Sequence, residues 1–107
     1  MISLSTMSMI ARVWSGVVRS EDADVYGRDI DETGFSAYKA TPGNRGAWLL
    51  RRDEGGRTEF LAFTLWDSVE AIKAFAGEDI EAAVYYPEDE RYLIKGEDGV
   101  KHYEVER

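Results

Sequence analysis

The chain has 107 residues, of which 44% are hydrophobic, 32% charged and 12% aromatic, and it carries a formal net charge of −8 with no cysteine. That length makes one small domain, which buries roughly 60–65% of the surface its unfolded chain exposes and stands to gain stability from a partner chain. The acidity argues against nucleic acid and anionic membranes, which need a basic stripe; the missing thiols exclude disulfides, thiolate catalysis, zinc–thiolate sites and iron–sulfur ligation.

No apolar run approaches the ~18 residues of a membrane span. The opening MISLSTMS lacks the basic and apolar regions of a secretion signal. Residues 1–8 are therefore expected to be a loose extension, and 9–107 the single folded domain of a cytoplasmic protein. Met9 to Val18 reads as a strand, with Met9, Ala11, Val13, Ser15 and Val17 on one face and Ile10, Arg12, Trp14, Gly16 and Val18 on the other. Ser20 is placed to cap a helix whose first turn holds Glu21 and Asp22. Its inner stripe is Ala23, Tyr26, Ile30, Thr33 and Ala37. Gly27 and Gly34 each cost about 1 kcal/mol in a helix interior, which predicts a bent or broken helix. The breaker Pro42-Gly43-Asn44-Arg45-Gly46 ends it.

Gly46 to Arg52 and Arg57 to Trp66 are two strands joined by the turn residues 53–56, hence an antiparallel hairpin. Phe60 to Leu65 has no charge, as in a strand covered on both faces. Asp67 and Glu70 have capping-box spacing, Val69, Ile72, Phe75 and Ala76 recur at helical spacing, and Gly77 suits a helix end. Asp79 to Val84 reads as one or two further helical turns. Tyr85-Tyr86-Pro87 and the acidic Glu88–Glu90, read as a solvated loop, suggest an irregular crossover with a short helix reaching Ile94. Gly99 to Val105 is a closing fourth strand.

The order is βαββαβ, the ferredoxin-like α+β plan, an antiparallel sheet with both helices on one face. The other face should be bare and carry Trp14, either Trp48 or Leu49, and either Leu61–Phe63 or Phe60–Trp66. A second copy packing sheet on sheet is the economical cover, so a homodimer is expected.

Four segments also carry a family likeness: ARVWSG, PGNRGAWLLRR, FTLWDSVEAIKAFAG and HYEV. Across residues 9–105 the chain resembles the antibiotic biosynthesis monooxygenase-like domains of the dimeric α+β barrel superfamily. The resemblance implies paired ferredoxin-like subunits with a pocket between sheet and helices. It also implies one of several activities: cofactor-independent oxygenation of polyphenolic polyketides, haem degradation or isomerisation. Trp66 stands in the family's Trp-Asp/Glu-Ser turn, so the resemblance places it in the pocket wall. Haem-degrading relatives carry a histidine shortly after the second helix; the corresponding EDIEAAVYYPEDE has none, so haem is not expected, nor any metal or flavin.

An oxygenase of this kind needs a dry aromatic pocket, a donor for a developing oxyanion and a base. Trp14, Trp66, Tyr85 and Tyr86 are the candidate substrate-binding residues, each with core or interface packing as the alternative. Arg12 is the candidate catalytic cation, against a surface salt bridge. His102 is the candidate base, as the only histidine, against a solvated residue on a late strand. If Tyr103 and Val105 point to the helices, His102 points to the opposite face. Two functions follow: a cofactor-independent monooxygenase acting on an aromatic or polyketide-like molecule, or a non-catalytic homodimer that binds a small apolar ligand.

Overall fold

The computed structural model describes residues 9–97 and 99–106; the extension expected at 1–8 lies outside them. The first strand, β1 (Ile10–Arg19), pairs antiparallel with β3 (Arg57–Trp66) along its full length, from Ile10↔Trp66 to Arg19↔Arg57. β2 (Asn44–Glu54) flanks β3 through the expected hairpin. At its tip Gly55 and Gly56 take φ of 58° and 82°, the positive values that match a tight turn to strand twist. Two short strands share the far side of β1: β4 (Leu93–Gly96) pairs with its end and β5 (Lys101–Glu104) with its beginning. The sheet order β2-β3-β1-β4, with β5 also on β1, is the ferredoxin-like arrangement with its closing strand divided. The single strand expected at Gly99–Val105 is thus corrected to two.

Helices cover one face. α1 (Ala23–Ile30) passes into a π-helical stretch, Asp31–Phe35, and then α2 (Ser36–Ala40). This is the irregularity that the glycines predict. It also moves the inner stripe: after Ile30 the buried residues are Gly34 and Phe35, not the expected Thr33 and Ala37, because a π turn inserts an extra residue. Ser20 does not cap α1; it begins a tight 3-10 turn, and its hydroxyl lies 3.0 Å from that of Thr58. α3 (Val69–Ala76) is capped by Ser68, whose Oγ accepts from the Ala71 N–H at 3.1 Å. Asp67, expected to cap it, pairs instead with Arg45 at 2.5 Å. Gly77 ends α3 at φ 88°. Residues 79–84, expected as helical turns, form a turn and extended chain. α4 (Pro87–Tyr92) follows.

Alternate residues of β1 and β3 point at the helices: Ile10, Arg12 and Val18, and Thr58, Phe60, Ala62, Thr64 and Trp66, are all buried. Two cores form there. One gathers Val18, Ala23, Tyr26, Ile30, Phe35 and Phe60 beneath α1; the other gathers Ile10, Trp66 and Ile72 beneath α3. The opposite face carries the register row Val13, Phe63 and Trp48. Trp48, Leu50 and Tyr103 are each about half exposed there. Trp14 does not lie on this bare face as expected. It pairs with Ala62 and packs against the α1 core.

Candidate functional site

Between the sheet and the helices lies a narrow pocket, partly open to solvent. Arg12, Trp14, Leu49 and Ala62 form its floor; Tyr26, Ile30, Gly34, Phe35 and Tyr38 form one wall; Val84, Tyr86, Asp89 and Val100 close the other side. The π stretch shapes this wall, since it turns Gly34 and Phe35 inward together. Gly34 leaves the gap there: a Cβ would stand 3.6 Å from the Tyr86 ring.

Arg12 is only 3% exposed. One Nη1 donates to the Ile80 carbonyl and to His102 Nε2 (3.1 Å), and Nη2 donates to the Ala82 carbonyl at 3.2 Å. Among the described residues no surface salt bridge holds it; its partners are backbone carbonyls and an imidazole. Burial lowers the guanidinium from its ordinary value. The register explains the imidazole: Arg12 stands directly across from His102 on β5.

His102 therefore points towards the helices, and Tyr103 to the bare face, the reverse of the geometry entertained from sequence. It is also buried rather than solvated. Because a guanidinium only donates, Nε2 must accept, which fixes the neutral Nδ1–H tautomer. Burial, reinforced by the Arg12 charge, lowers the imidazole to about 4. His102 is not in the pocket wall. It supports Arg12 and does not present a free lone pair as a base.

Trp14 spans the floor and the rim. Its Nε1 donates to the Glu97 carbonyl at 2.9 Å and to the Tyr85 hydroxyl at 3.3 Å. Tyr85 meets the indole edge-on at 5.9 Å and is 40% exposed. It clamps Trp14 from outside the cavity. Tyr86 does line the cavity, and burial raises its phenol pKa, as does nearby Asp89.

Trp66 does not line it. The indole is fully buried, with Phe75 tilted against it at 5.8 Å and Tyr38 edge-on at 6.2 Å, and its N–H donates to Thr64 Oγ1 at 2.8 Å. It contributes to the pocket indirectly, by backing Tyr38.

Three polar lining residues escape the sequence reading as site residues: Asp89, Tyr26 and Tyr38. Asp89 lies in the run read as a solvated loop, yet it is 3% exposed. Its Oδ1 accepts from the Tyr26 hydroxyl and its Oδ2 from the Tyr86 N–H, both at 2.7 Å. The available signal is the spacing Tyr86-Pro87-x-Asp89: proline at the first helical position and an acid at the third form a cap that turns Asp89 inward. Burial, then the Asp89 contact, raises the Tyr26 pKa, so the phenol stays protonated. Burial raises Tyr38 to about 12, with Arg12 opposing the shift.

Among the described residues, no group of three or more His, Cys, Asp or Glu is placed to hold a metal ion. Nor is any helix among them long and apolar enough to cross a membrane.

No protein-family model matches the chain. No curated protein matches it either. Solved structures do. A candidate antibiotic biosynthesis monooxygenase from Caulobacter crescentus matches with a TM-score of 0.69 at 15% identity, over 95% of this chain and 93% of that one. Another, from Bacillus cereus, gives 0.65 at 16% identity over 94% and 95%. A variant of SnoaB, a cofactor-independent oxygenase from Streptomyces nogalater, gives 0.60 at 14% identity over 94% and 93%. Identities this low speak for architecture and not for reaction. The chain has the ferredoxin-like fold of the antibiotic biosynthesis monooxygenase-like proteins.

Proposed function

We propose that the protein is a cofactor-independent monooxygenase acting on an aromatic, polyketide-like small molecule. The observation that carries this reading is a buried cation, Arg12, in the floor of a pocket whose walls, Asp89 and Gly34 apart, are aromatic and aliphatic side chains. Likeness to a fold that includes a cofactor-independent oxygenase supports it. An anthrone-type substrate would lose a proton to water at the open side of the pocket, giving an enolate whose oxygen Arg12 would stabilise at close range and low dielectric. The enolate carbon would then pass electrons to dioxygen. The peroxide so formed would lose water, leaving a quinone; overall, a CH2 and O2 become C=O and H2O. Trp14 and Tyr86 would hold the ring system.

Oxygen uptake with a panel of anthrones and hydroquinones, without added metal or flavin, tests this. Uptake above the uncatalysed rate is expected for at least one compound. Arg12→Gln should reduce it by about a hundredfold, the usual scale for losing one oxyanion donor, with folding checked by circular dichroism. No uptake for any compound sinks the catalytic reading. Saturable binding without turnover would identify the non-catalytic binder instead.

The active form in this reading is a homodimer, formed by pairing the bare faces about Trp48, Leu50 and Tyr103. Multi-angle light scattering at micromolar concentration should return a mass of two chains, and Trp48→Glu should return one. A folded monomer for the unaltered chain would refute the dimer.

A further inference from the structure

We infer that Asp89 makes the pocket a two-ended receptor, selecting aromatic ligands that carry an oxyanion or carbonyl oxygen for Arg12 and a donor hydroxyl for Asp89. This deepens the proposed function and rests on the reading of the pocket as a hydroxyaromatic site. Both groups are 3% exposed, both line the same cavity, and no ion pair within 4.0 Å joins them. A buried carboxylate and a buried guanidinium that could neutralise each other are instead held apart. Arg12 is fixed by the backbone at Ile80 and Ala82, and Asp89 by Tyr26 and the Tyr86 N–H.

The space between is apolar and phenolic. Tyr38 lies within electrostatic reach of both, with Arg12 lowering its pKa and Asp89 raising it. A carboxyl oxygen can accept more than one hydrogen bond, and a single donor reaches each Asp89 oxygen, the Tyr26 hydroxyl on one and the Tyr86 N–H on the other. Asp89 lines the cavity, where a ligand hydroxyl can donate to the acceptor capacity that remains. A ligand with a hydroxyl in place meets it; its methyl ether does not. The carboxylate also straps α4 to α1, and that mechanical role alone would predict no preference among ligands.

A product-like quinone separates binding from turnover. Binding of a dihydroxyanthraquinone and of its mono-O-methyl ether would be followed by quenching of tryptophan fluorescence and by calorimetry. The unaltered protein should favour the dihydroxy compound by about tenfold or more, because a site built for a hydroxyl rejects its absence. Asp89→Asn should bring the two affinities within about twofold, chiefly by weakening the dihydroxy compound. Tyr26→Phe removes the strap hydrogen bond and keeps the carboxylate, so the preference should survive. If Asp89→Asn does not fold, the unaltered protein and Tyr26→Phe still decide. Equal affinities in the unaltered protein, no binding of either quinone, or a preference abolished equally by Tyr26→Phe would each overturn the proposal. Oxygen uptake with an anthrone would still stand in any of those cases, so the two readings fail separately.

Discussion

Trp66→Ala is expected to destabilise the fold by about 3–5 kcal/mol, the range found when a buried tryptophan or phenylalanine is cut to alanine. The indole has no exposed surface and sits among Ile10, Ile72 and Phe75 beneath α3, with Tyr38 beside it. Truncation removes the packing of three elements at once and leaves the Thr64 hydroxyl without its donor. A domain of this size has a total stability on the order of 5–15 kcal/mol, so the variant stands near the edge of folding. Its thermal midpoint should fall by more than about 10 °C. Trp66→Phe keeps most of the volume and loses the N–H, and should cost about 1–2 kcal/mol. Urea unfolding of the three proteins checks this. A tryptophan whose main work was ligand contact would give an unfolding midpoint unchanged by the alanine substitution, and that outcome would contradict its placement in the core. The same logic governs any activity assay: lost turnover in Trp66→Ala reports on the collapse of the wall behind Tyr38 before it reports on chemistry.

The hairpin and α3 were legible because their signals are local. Gly55-Gly56 demands a tight turn, and Val69, Ile72 and Phe75 repeat at helical spacing. Which face of β1 turns inward is not a local property. The face carrying Ala11, Val13 and Val17 reads as the more apolar, yet the helices cover the one carrying Arg12 and Trp14. A buried guanidinium makes an interior face look like an exterior one; its partners, the carbonyls of Ile80 and Ala82, lie 68 and 70 residues away. Once Arg12 is turned inward, pairing across to β5 brings His102 with it. The divided closing strand was hidden for a different reason: β4 is only 4 residues long, too short for alternation to show. Asp89 sits between two acids in sequence, and only its place as the third residue of α4, from which it reaches back to the Tyr86 N–H, separates it from them. The candidate site was therefore half visible. Arg12, Trp14 and Tyr86 belong to the pocket, whereas Trp66, Tyr85 and His102 support it from behind.

The Arg12–His102 contact gives the second large effect, a loss of stability in mild acid. An unfolded chain titrates its histidine near 6.5, whereas in the fold His102 is held at about 4. Above pH 6.5 the ring is neutral in both states, and its contribution to stability is complete. Between these values the unfolded chain takes up a proton that the folded one refuses. Stability therefore falls with pH, by at most about 1.4 kcal/mol per unit and no more than about 3 kcal/mol across the window. Below about pH 4 the ring protonates in the fold as well, and Nε2 can no longer accept from Arg12. Urea unfolding from pH 7 to 4 should show the unaltered protein losing more stability than His102→Gln, whose amide oxygen can accept from Arg12 without titrating. Carboxylates contribute to both proteins and cancel in the difference. Parallel curves would mean that the histidine is not withheld from protons. The cause can be split further. Burial outweighs the Arg12 charge in lowering the imidazole, so Arg12→Met should raise the NMR midpoint of His102 above about 4 and still leave it below 6.5.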